Sequence, residues 1–96
     1  MIFQPDIEVI NAAASKVGEI AGHNLALYRQ HCQMSLREVS FETDIHPSLL
    51  FSYEKAIIKI VVYAKLIIFY RQICKHLGIG EPEGIVRIST LLDELS

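Results

Sequence analysis

The chain has 96 residues, 51% of them apolar, and a formal net charge of −2. This length fits one domain with a single core, and the apolar content excludes a chain that is mainly disordered. With more acidic than basic residues, the protein has no overall positive field to draw it to nucleic acid. Any nucleic-acid binding would therefore need a locally basic face.

The N-terminal sequence MIFQPDIEV predicts a cytoplasmic rather than an exported protein. It has no basic start, and it carries a proline and two acids where a signal peptide needs an apolar core. The longest apolar run, Ala56 to Tyr70, is shorter than the roughly 20 residues that a membrane-spanning helix requires. It also contains Lys59 and Lys65. We therefore expect a buried helix and no association with a membrane.

No feature of the sequence predicts enzymatic activity, a metal site or a cofactor. Cys32 and Cys74 are the two cysteines, and we expect reduced core thiols rather than a disulfide. His31 and His76 stand near them, but the spacing matches no standard zinc pattern. A Gly-rich phosphate loop and a nucleophile elbow are both missing from the sequence.

The first third of the chain has helical periodicity. Its apolar residues recur at helical spacing: Ile7, Ile10, Ala14, Val17, Ala21, Leu25, Tyr28 and Cys32. Gly18 and Gly22 argue against one unbroken helix, because glycine weakens a helix interior. The sequence therefore predicts a leading segment, residues 1–15, with a helix from about Asp6 to Ser15, and then a core helix from about Lys16 to His31.

Residues 35–55 predict two short helices joined by a tight turn. Ser35 and Glu38 form a capping box, in which each side chain bonds to the backbone of the other residue. The first helix runs to about Thr43, and Asp44 tolerates the left-handed conformation that a turn needs. The sequence His46-Pro47 begins a second helix with proline in its first turn, and this helix runs to about Lys55. This is the layout of a helix-turn-helix.

The remainder of the chain predicts a connector, a long helix, a loop and a tail helix. A helix from about Val61 to Gly78 gathers Lys65, Arg71 and Lys75 on one arc, whereas an earlier start would scatter the charges. Ile68 is an apolar exception within this polar arc. Residues 80–96 then form a loop and an amphipathic tail helix. Six residues are candidates for a dimer surface on the long helix, its connector or the tail: Ile58, Ile68, Ile85, Ile88, Leu92 and Leu95.

From about Gly22 to Ile79 the sequence resembles the lambda-repressor-like, Cro-type helix-turn-helix regulators of the XRE family. The resemblance rests on the Ser-x-x-Glu cap, on the Tyr53-Glu54 ending, and on positions that the family uses in its core or its first helix: Leu25, Arg29, Val39, Ile45 and Leu50. The segments YEKAIIKI and ICKHLGI also resemble the subgroup that regulates fimbrial operons. The resemblance implies an all-α bundle of about five helices with a central helix-turn-helix.

The resemblance also implies roles for individual residues. Arg29 and Glu54 would form an ion pair between the first helix and the end of the second short helix. The alternative is that both charges are exposed to solvent. The chain departs from the family in having Asp44 and Ala56 at positions that are usually glycine, and Leu36 where the family often has glutamine.

In the family, the second short helix enters the major groove of double-stranded DNA. Eight residues here would then contact DNA: Arg37, His46, Pro47, Ser48, Leu49, Ser52, Lys55 and Lys59. The second short helix has no Arg, Gln or Asn near its start, and these are the side chains that read a base with two hydrogen bonds. We therefore expect weak sequence specificity. The implied function is a transcriptional regulator that binds a pseudo-palindromic operator as a homodimer.

A second interpretation uses the same two helices for binding a protein. Leu36, Phe41, Leu49 and Phe51 stand where a DNA reader usually has polar side chains, and a contiguous exposed apolar patch marks a protein partner. The domain would then be an interaction module, such as an antirepressor or an antitoxin-like partner. Burial of these four side chains favours DNA binding, and their joint exposure favours a protein.

Overall fold

The computed structural model describes residues 6–55 and 59–88, and the regular structure in these ranges is helical throughout. The prediction of an all-α protein is confirmed for this part of the chain. The described residues form four helices: α1 (Ile7–His31), α2 (Leu36–Thr43), α3 (Pro47–Glu54) and α4 (Ile60–Leu77). The predicted tail helix falls largely on residues 89–96, which lie outside the described residues. Half of the predicted connector, 57–60, also lies outside them, but its last residue, Ile60, is already the first residue of α4.

The prediction of two helices before His31 is wrong, because α1 is a single helix of 25 residues. Gly22 has a packing role within this helix. A β-carbon at this position would lie 2.7 Å from the Glu54 carbonyl oxygen and 2.9 Å from that of Tyr53. Gly22 therefore lets the C-terminal end of α3 approach the backbone of α1, and the glycine serves a helix–helix contact rather than a break.

The start of α2 and the conformation of the turn after it agree with the sequence prediction. The Glu38 N–H donates to the Ser35 hydroxyl at 3.0 Å, and the Ser35 N–H donates to the Glu38 carboxylate at 3.1 Å, which completes the capping box. Asp44 adopts the left-handed conformation, with φ of 58°. Three residues therefore separate α2 from α3, and Pro47 is the first residue of α3.

The long helix α4 starts one residue before the predicted Val61 and ends at the predicted place. Gly78 follows the last helical residue with φ of 69°, a left-handed conformation that suits glycine. Leu66, Tyr70 and Cys74 are buried along one face. The predicted polar residues Lys65, Arg71, Gln72, Lys75 and His76 are all exposed.

The core lies where α1, the α2–α3 pair and α4 meet. Its buried side chains come from all four helices: Leu25, Tyr28, Cys32, Val39, Leu50, Leu66, Tyr70 and Cys74. Val39 and Leu50 are core residues as predicted, and Ile45 packs partly against them. The rings of Tyr28 and Tyr70 stack with their centroids 5.9 Å apart, which fixes α4 against α1.

After α4, residues 79–88 run back along α1 in the opposite direction to that helix. His31 Nε2–H donates to the Gly80 carbonyl at 2.6 Å, and the Tyr28 hydroxyl donates to Glu81 at 2.9 Å. Further along, Asn24 bonds to both backbone groups of Val86. The 79–88 segment is thus held to α1 at three successive levels, and Ile85 packs partly against the core.

Among residues 6–55 and 59–88, none of the helices combines the length and apolar character that a membrane crossing requires.

Candidate nucleic-acid interface

Helix α3 is fixed on α1 by the ion pair between Arg29 and Glu54. Arg29 Nε and Nη2 donate to the two carboxylate oxygens of Glu54 at 2.8 and 3.1 Å, which is a bidentate geometry. The side chains are only 20% and 12% exposed, so the alternative of two solvent-exposed charges is wrong. The hydrogen bond to Glu54 raises the pKa of the Arg29 guanidinium above its usual value.

Arg29 also joins α1 to the turn before α2, since its Nη1 donates to the Met34 carbonyl at 3.1 Å. Truncating one partner of the ion pair would strand the other charge in a partly buried place. Such a loss costs on the order of 3–5 kcal/mol for a buried pair. The pair therefore sets the orientation of α3 relative to the first two helices.

The side of α3 that faces away from the core carries most of the residues predicted to contact DNA. Leu50 and Glu54 face inward, and Ser48, Leu49 and Lys55 are exposed on the remaining sides. Pro47 and Ser52 are half-buried there. We call Ser48, Leu49, Ser52 and Lys55 the α3 outer face. Of the other predicted DNA contacts, His46, Arg37 and Lys59 are exposed, at the start of α3, in α2 and before α4, respectively.

The polar groups of the α3 outer face bond to one another. The Ser48 N–H and hydroxyl both donate to His46 Nδ1, at 3.1 and 2.7 Å, so His46 caps the helix through its side chain. Because Nδ1 accepts both bonds, the ring hydrogen lies on Nε2. The Ser52 hydroxyl donates to the Ser48 carbonyl at 3.0 Å. Both serine hydroxyls thus donate their hydrogens to groups of this chain, and they present mainly acceptor lone pairs to solvent.

Three of the four apolar residues in question are exposed, and one is not. Phe41 is 87% exposed, Leu49 48% and Phe51 53%, whereas Leu36 packs partly against the core. Leu49 and Phe51 lie about 160° apart around α3, so they stand on opposite sides of Ser48 and Ser52. The Lys55 ammonium lies 5.2 Å from the centre of the Phe51 ring and covers part of it.

The charges around α2 and α3 are mixed. Arg37 and Lys55 supply two positive charges, while Glu38, Glu42 and Asp44 supply three negative ones. Glu54 is neutralised by Arg29. Even with Lys59 included, the residues around the α3 outer face therefore carry no net positive charge.

A groove of about 500 Å³ opens beside the α3 outer face, between the α2–α3 turn and α4. Leu49 and His46 line one side, Val62 and Lys65 the other, and Tyr53 lies between them. The groove places the exposed side of Leu49 next to a cationic side chain of α4.

The candidate dimer residues that the structure describes lie on two different surfaces, one on α4 and one in the 79–88 segment. Ile68 is 56% exposed on the side of α4 opposite the core, together with Ile60 and Val61, which are 67% and 61% exposed. Ile85 and Ile88 are half-buried in the 79–88 segment, where part of each surface already contacts this chain. Ile58, Leu92 and Leu95 lie outside the described residues.

Sequence reasoning missed Asn24, which is fully buried. Its Nδ2 donates to the Val86 carbonyl at 2.7 Å and to the Tyr63 hydroxyl at 3.0 Å, and its Oδ1 accepts from the Val86 N–H at 3.0 Å. The available signal was a polar amide at position 24 beside an apolar helical stripe. A buried amide in such a place needs partners.

A scan against protein-family models matches none of them, and searches of curated proteins and of solved structures return no match. Within the part of the chain that the structure describes, no three side chains from His, Cys, Asp and Glu are grouped to hold a metal ion.

Proposed function

We propose that this protein is a lambda-repressor-like transcriptional regulator that binds double-stranded DNA through α3 as a homodimer. The observation that carries the proposal is the way α3 is held. Its inner side is anchored by Leu50 and by the Arg29–Glu54 pair, while its outer side presents Ser48 and Lys55 to solvent. A short helix fixed in this manner on two others matches the docking of a recognition helix in the major groove.

Binding through this face would be weakly specific. The hydroxyls of Ser48 and Ser52 are engaged within α3, and Leu49 offers only apolar contact, for example with a thymine methyl. Arg37, Lys55 and Lys59 are phosphate contacts, which position the protein without reading a base. Sequence preference would then come largely from the shape and deformability of the DNA.

The DNA-binding proposal is tested by fluorescence anisotropy with a random duplex pool at two salt concentrations, followed by sequencing of the bound DNA. We expect affinity to fall steeply with salt and an inverted repeat to be enriched. No binding at the lower salt concentration would contradict the proposal.

Matched charge variants locate the contact surface. Lys55→Gln and Arg37→Gln should each weaken binding to all sequences and reduce the slope of log affinity against log salt by about 1. Lys16→Gln is the control, because Lys16 is exposed on the side of α1 away from the core. Equal effects of all three variants would indicate attraction by total charge and would contradict the assignment to α3.

The homodimer would use the exposed apolar stripe of α4. Ile60, Val61 and Ile68 recur on one side of the first turns of α4, whereas the later turns on that side carry Gln72 and Lys75. Sedimentation equilibrium should show a dimer that Ile68→Lys shifts toward monomer. Gln72→Lys, one turn further along the same face, should leave the dimer intact. A monomer in the unmodified protein would contradict this part of the proposal.

The exposure of Phe41, Leu49 and Phe51 favours a second candidate, a protein-interaction module. A phenylalanine with 87% of its surface exposed in α2 has no role in the core. The test is an affinity pull-down from cell extract with the unmodified protein and with Phe41→Ser. If Phe41→Ser keeps its DNA affinity but no longer retains one defined protein, the surface of α2 binds that protein. If α3 binds no DNA, this candidate becomes the leading one.

A further inference from the structure

The two cysteines lie in contact inside the core. The Cys32 and Cys74 sulfurs are 3.7 Å apart, and both thiols are free. Cys32 follows the last residue of α1, and Cys74 lies in the last turn of α4. The residues are only 7% and 4% exposed, so each thiol is surrounded by protein rather than by solvent.

The helices that carry the two thiols are packed together by a second pair of side chains one turn away. Tyr28 and Tyr70, which stack at 5.9 Å, precede Cys32 and Cys74 by four residues on α1 and α4, respectively. One helical turn therefore separates the tyrosine pair from the cysteine pair on both helices. A disulfide needs its sulfurs about 2.05 Å apart, so the two thiols must close by less than 2 Å, a distance within reach of side-chain rotation.

We propose that Cys32 and Cys74 are a site of reversible intramolecular disulfide formation, with a low-molecular-weight disulfide such as oxidised glutathione as the oxidant. During a transient local opening of the core, one cysteine loses its proton and attacks the oxidant, which forms a mixed disulfide and releases one glutathione thiol. The second cysteine loses its proton and attacks the mixed disulfide, which releases the second glutathione thiol. In sum, the two protein thiols give up two electrons and two protons, and the oxidant is reduced to two thiols.

The bond would form slowly and would then stabilise the fold. Burial, together with the adjacent Cys74 thiol, raises the pKa of the Cys32 thiol to about 12, so the reactive thiolate is scarce near neutral pH. Once formed, the bond joins the end of α1 to α4 and closes a long loop that contains α2 and α3, which restricts the unfolded chain. Arg29, which holds the turn before α2, is one turn from Cys32.

The test is incubation of the full chain with oxidised glutathione in mildly alkaline buffer, followed by alkylation and intact mass measurement. We expect the mass of a single chain that has lost two hydrogens and no longer reacts with the alkylating reagent. Peptide mapping without reduction should join Cys32 to Cys74. The melting temperature should rise by about 10 °C relative to the reduced protein, and a reducing agent should reverse the shift.

The single variants Cys32→Ser and Cys74→Ser are the controls, and neither should gain stability from the oxidant. Three results would overturn the proposal: glutathione that stays attached to one cysteine, a bond between two chains, or a bond that lowers the melting temperature. Because the peptide map and the melting shift are measured on the unmodified protein, the proposal stays testable if either serine variant fails to fold.

Discussion

At the scale of single residues, Asn24 determines where the chain lies after α4. Its amide group uses both hydrogens and its oxygen in bonds to Val86 and Tyr63, and the residue has no exposed surface. The two bonds to Val86 satisfy one backbone N–H and one carbonyl that regular secondary structure leaves unpaired. Asn24 therefore acts as a partner for an irregular segment that lies against a helix.

Replacing Asn24 by leucine should lower the free energy of unfolding by about 2–4 kcal/mol. Leucine has a similar volume, but it leaves the Val86 N–H and carbonyl without partners, and each stranded group costs about 1–3 kcal/mol. Urea unfolding measures the loss, and hydrogen exchange should show that the Val86 amide has lost its protection. Gln30→Leu, an exposed site on α1, is the control and should change stability by about 0.5 kcal/mol at most. Equal effects of the two substitutions would contradict this role for Asn24.

The two polar contacts of α1 differ in how far they could be predicted. The Arg29–Glu54 pair follows from the resemblance to a family in which these positions are paired. The bond between Asn24 and Val86 joins residues 62 positions apart and involves backbone groups, which carry no sequence signature. Sequence could mark Asn24 as a polar residue beside an apolar stripe, but it could not name the partner.

At the scale of the helices, most boundaries follow from local capping chemistry. The capping box of Ser35 starts α2, Pro47 starts α3, and Gly78 ends α4, all where the sequence predicts them. The predicted break before Lys16 is wrong, because helix propensity alone does not show what the two glycines of α1 contact. A contact between α1 and α3 gives Gly22 its role, and only the tertiary structure contains that contact.

Gly22→Ala should destabilise the protein by about 2 kcal/mol. In an isolated helix, alanine would be favoured over glycine by about 1 kcal/mol. Here the new β-carbon would meet the Glu54 carbonyl oxygen at 2.7 Å, so α3 must move away from α1, and overpacking of this kind costs about 1–3 kcal/mol beyond that gain. Chemical denaturation measures the change.

Gly80→Ala is the matched control, since no atom lies within 4 Å of a β-carbon at that position. Its effect should be about 0.5 kcal/mol or less. A gain in stability for Gly22→Ala would show that helix propensity outweighs the contact between α1 and α3.

At the scale of the whole molecule, the sequence predicted the all-helical class of the described residues but not how the chain closes. The pattern of Ile85 and Ile88 indicates an apolar face without showing which surface covers it. In the structure, residues 79–88 lie along α1 and accept hydrogen bonds from polar side chains of His31, Tyr28 and Asn24. Hydrophobic periodicity carries no information about such polar contacts.

The candidate site also has features that the sequence could indicate and features that it could not. Of the residues predicted to contact DNA, Ser48, Lys55 and Arg37 are exposed, whereas Pro47 and Ser52 are half-buried. The internal bonds of the serine hydroxyls and the covering of Phe51 by Lys55 depend on side-chain rotamers, so no spacing rule could supply them.

The packing of α1 against α4 predicts that the molecule loses stability in alkaline solution. Burial raises the pKa of the Tyr28 and Tyr70 hydroxyls, and it raises that of the Cys32 thiol to about 12. The unfolded chain would lose these protons at lower pH than the folded chain, since the ordinary values are 10.0 for tyrosine and 9.0 for cysteine. Between the unfolded and folded pKa values the unfolded state binds fewer protons, so stability falls as pH rises.

The stabilising contribution of these groups is therefore complete below about pH 9 and decreases as the pH rises toward 12. Each group adds a slope of about 1.4 kcal/mol per pH unit within its own window. Urea unfolding at a series of pH values should show this decline, and Tyr70→Phe should reduce its slope above pH 10 by about one group's share. Because phenylalanine keeps the aromatic ring in the stack with Tyr28, the variant separates ionisation from packing. An unchanged slope in Tyr70→Phe would mean that ionisation of the buried Tyr70 hydroxyl does not govern alkaline unfolding.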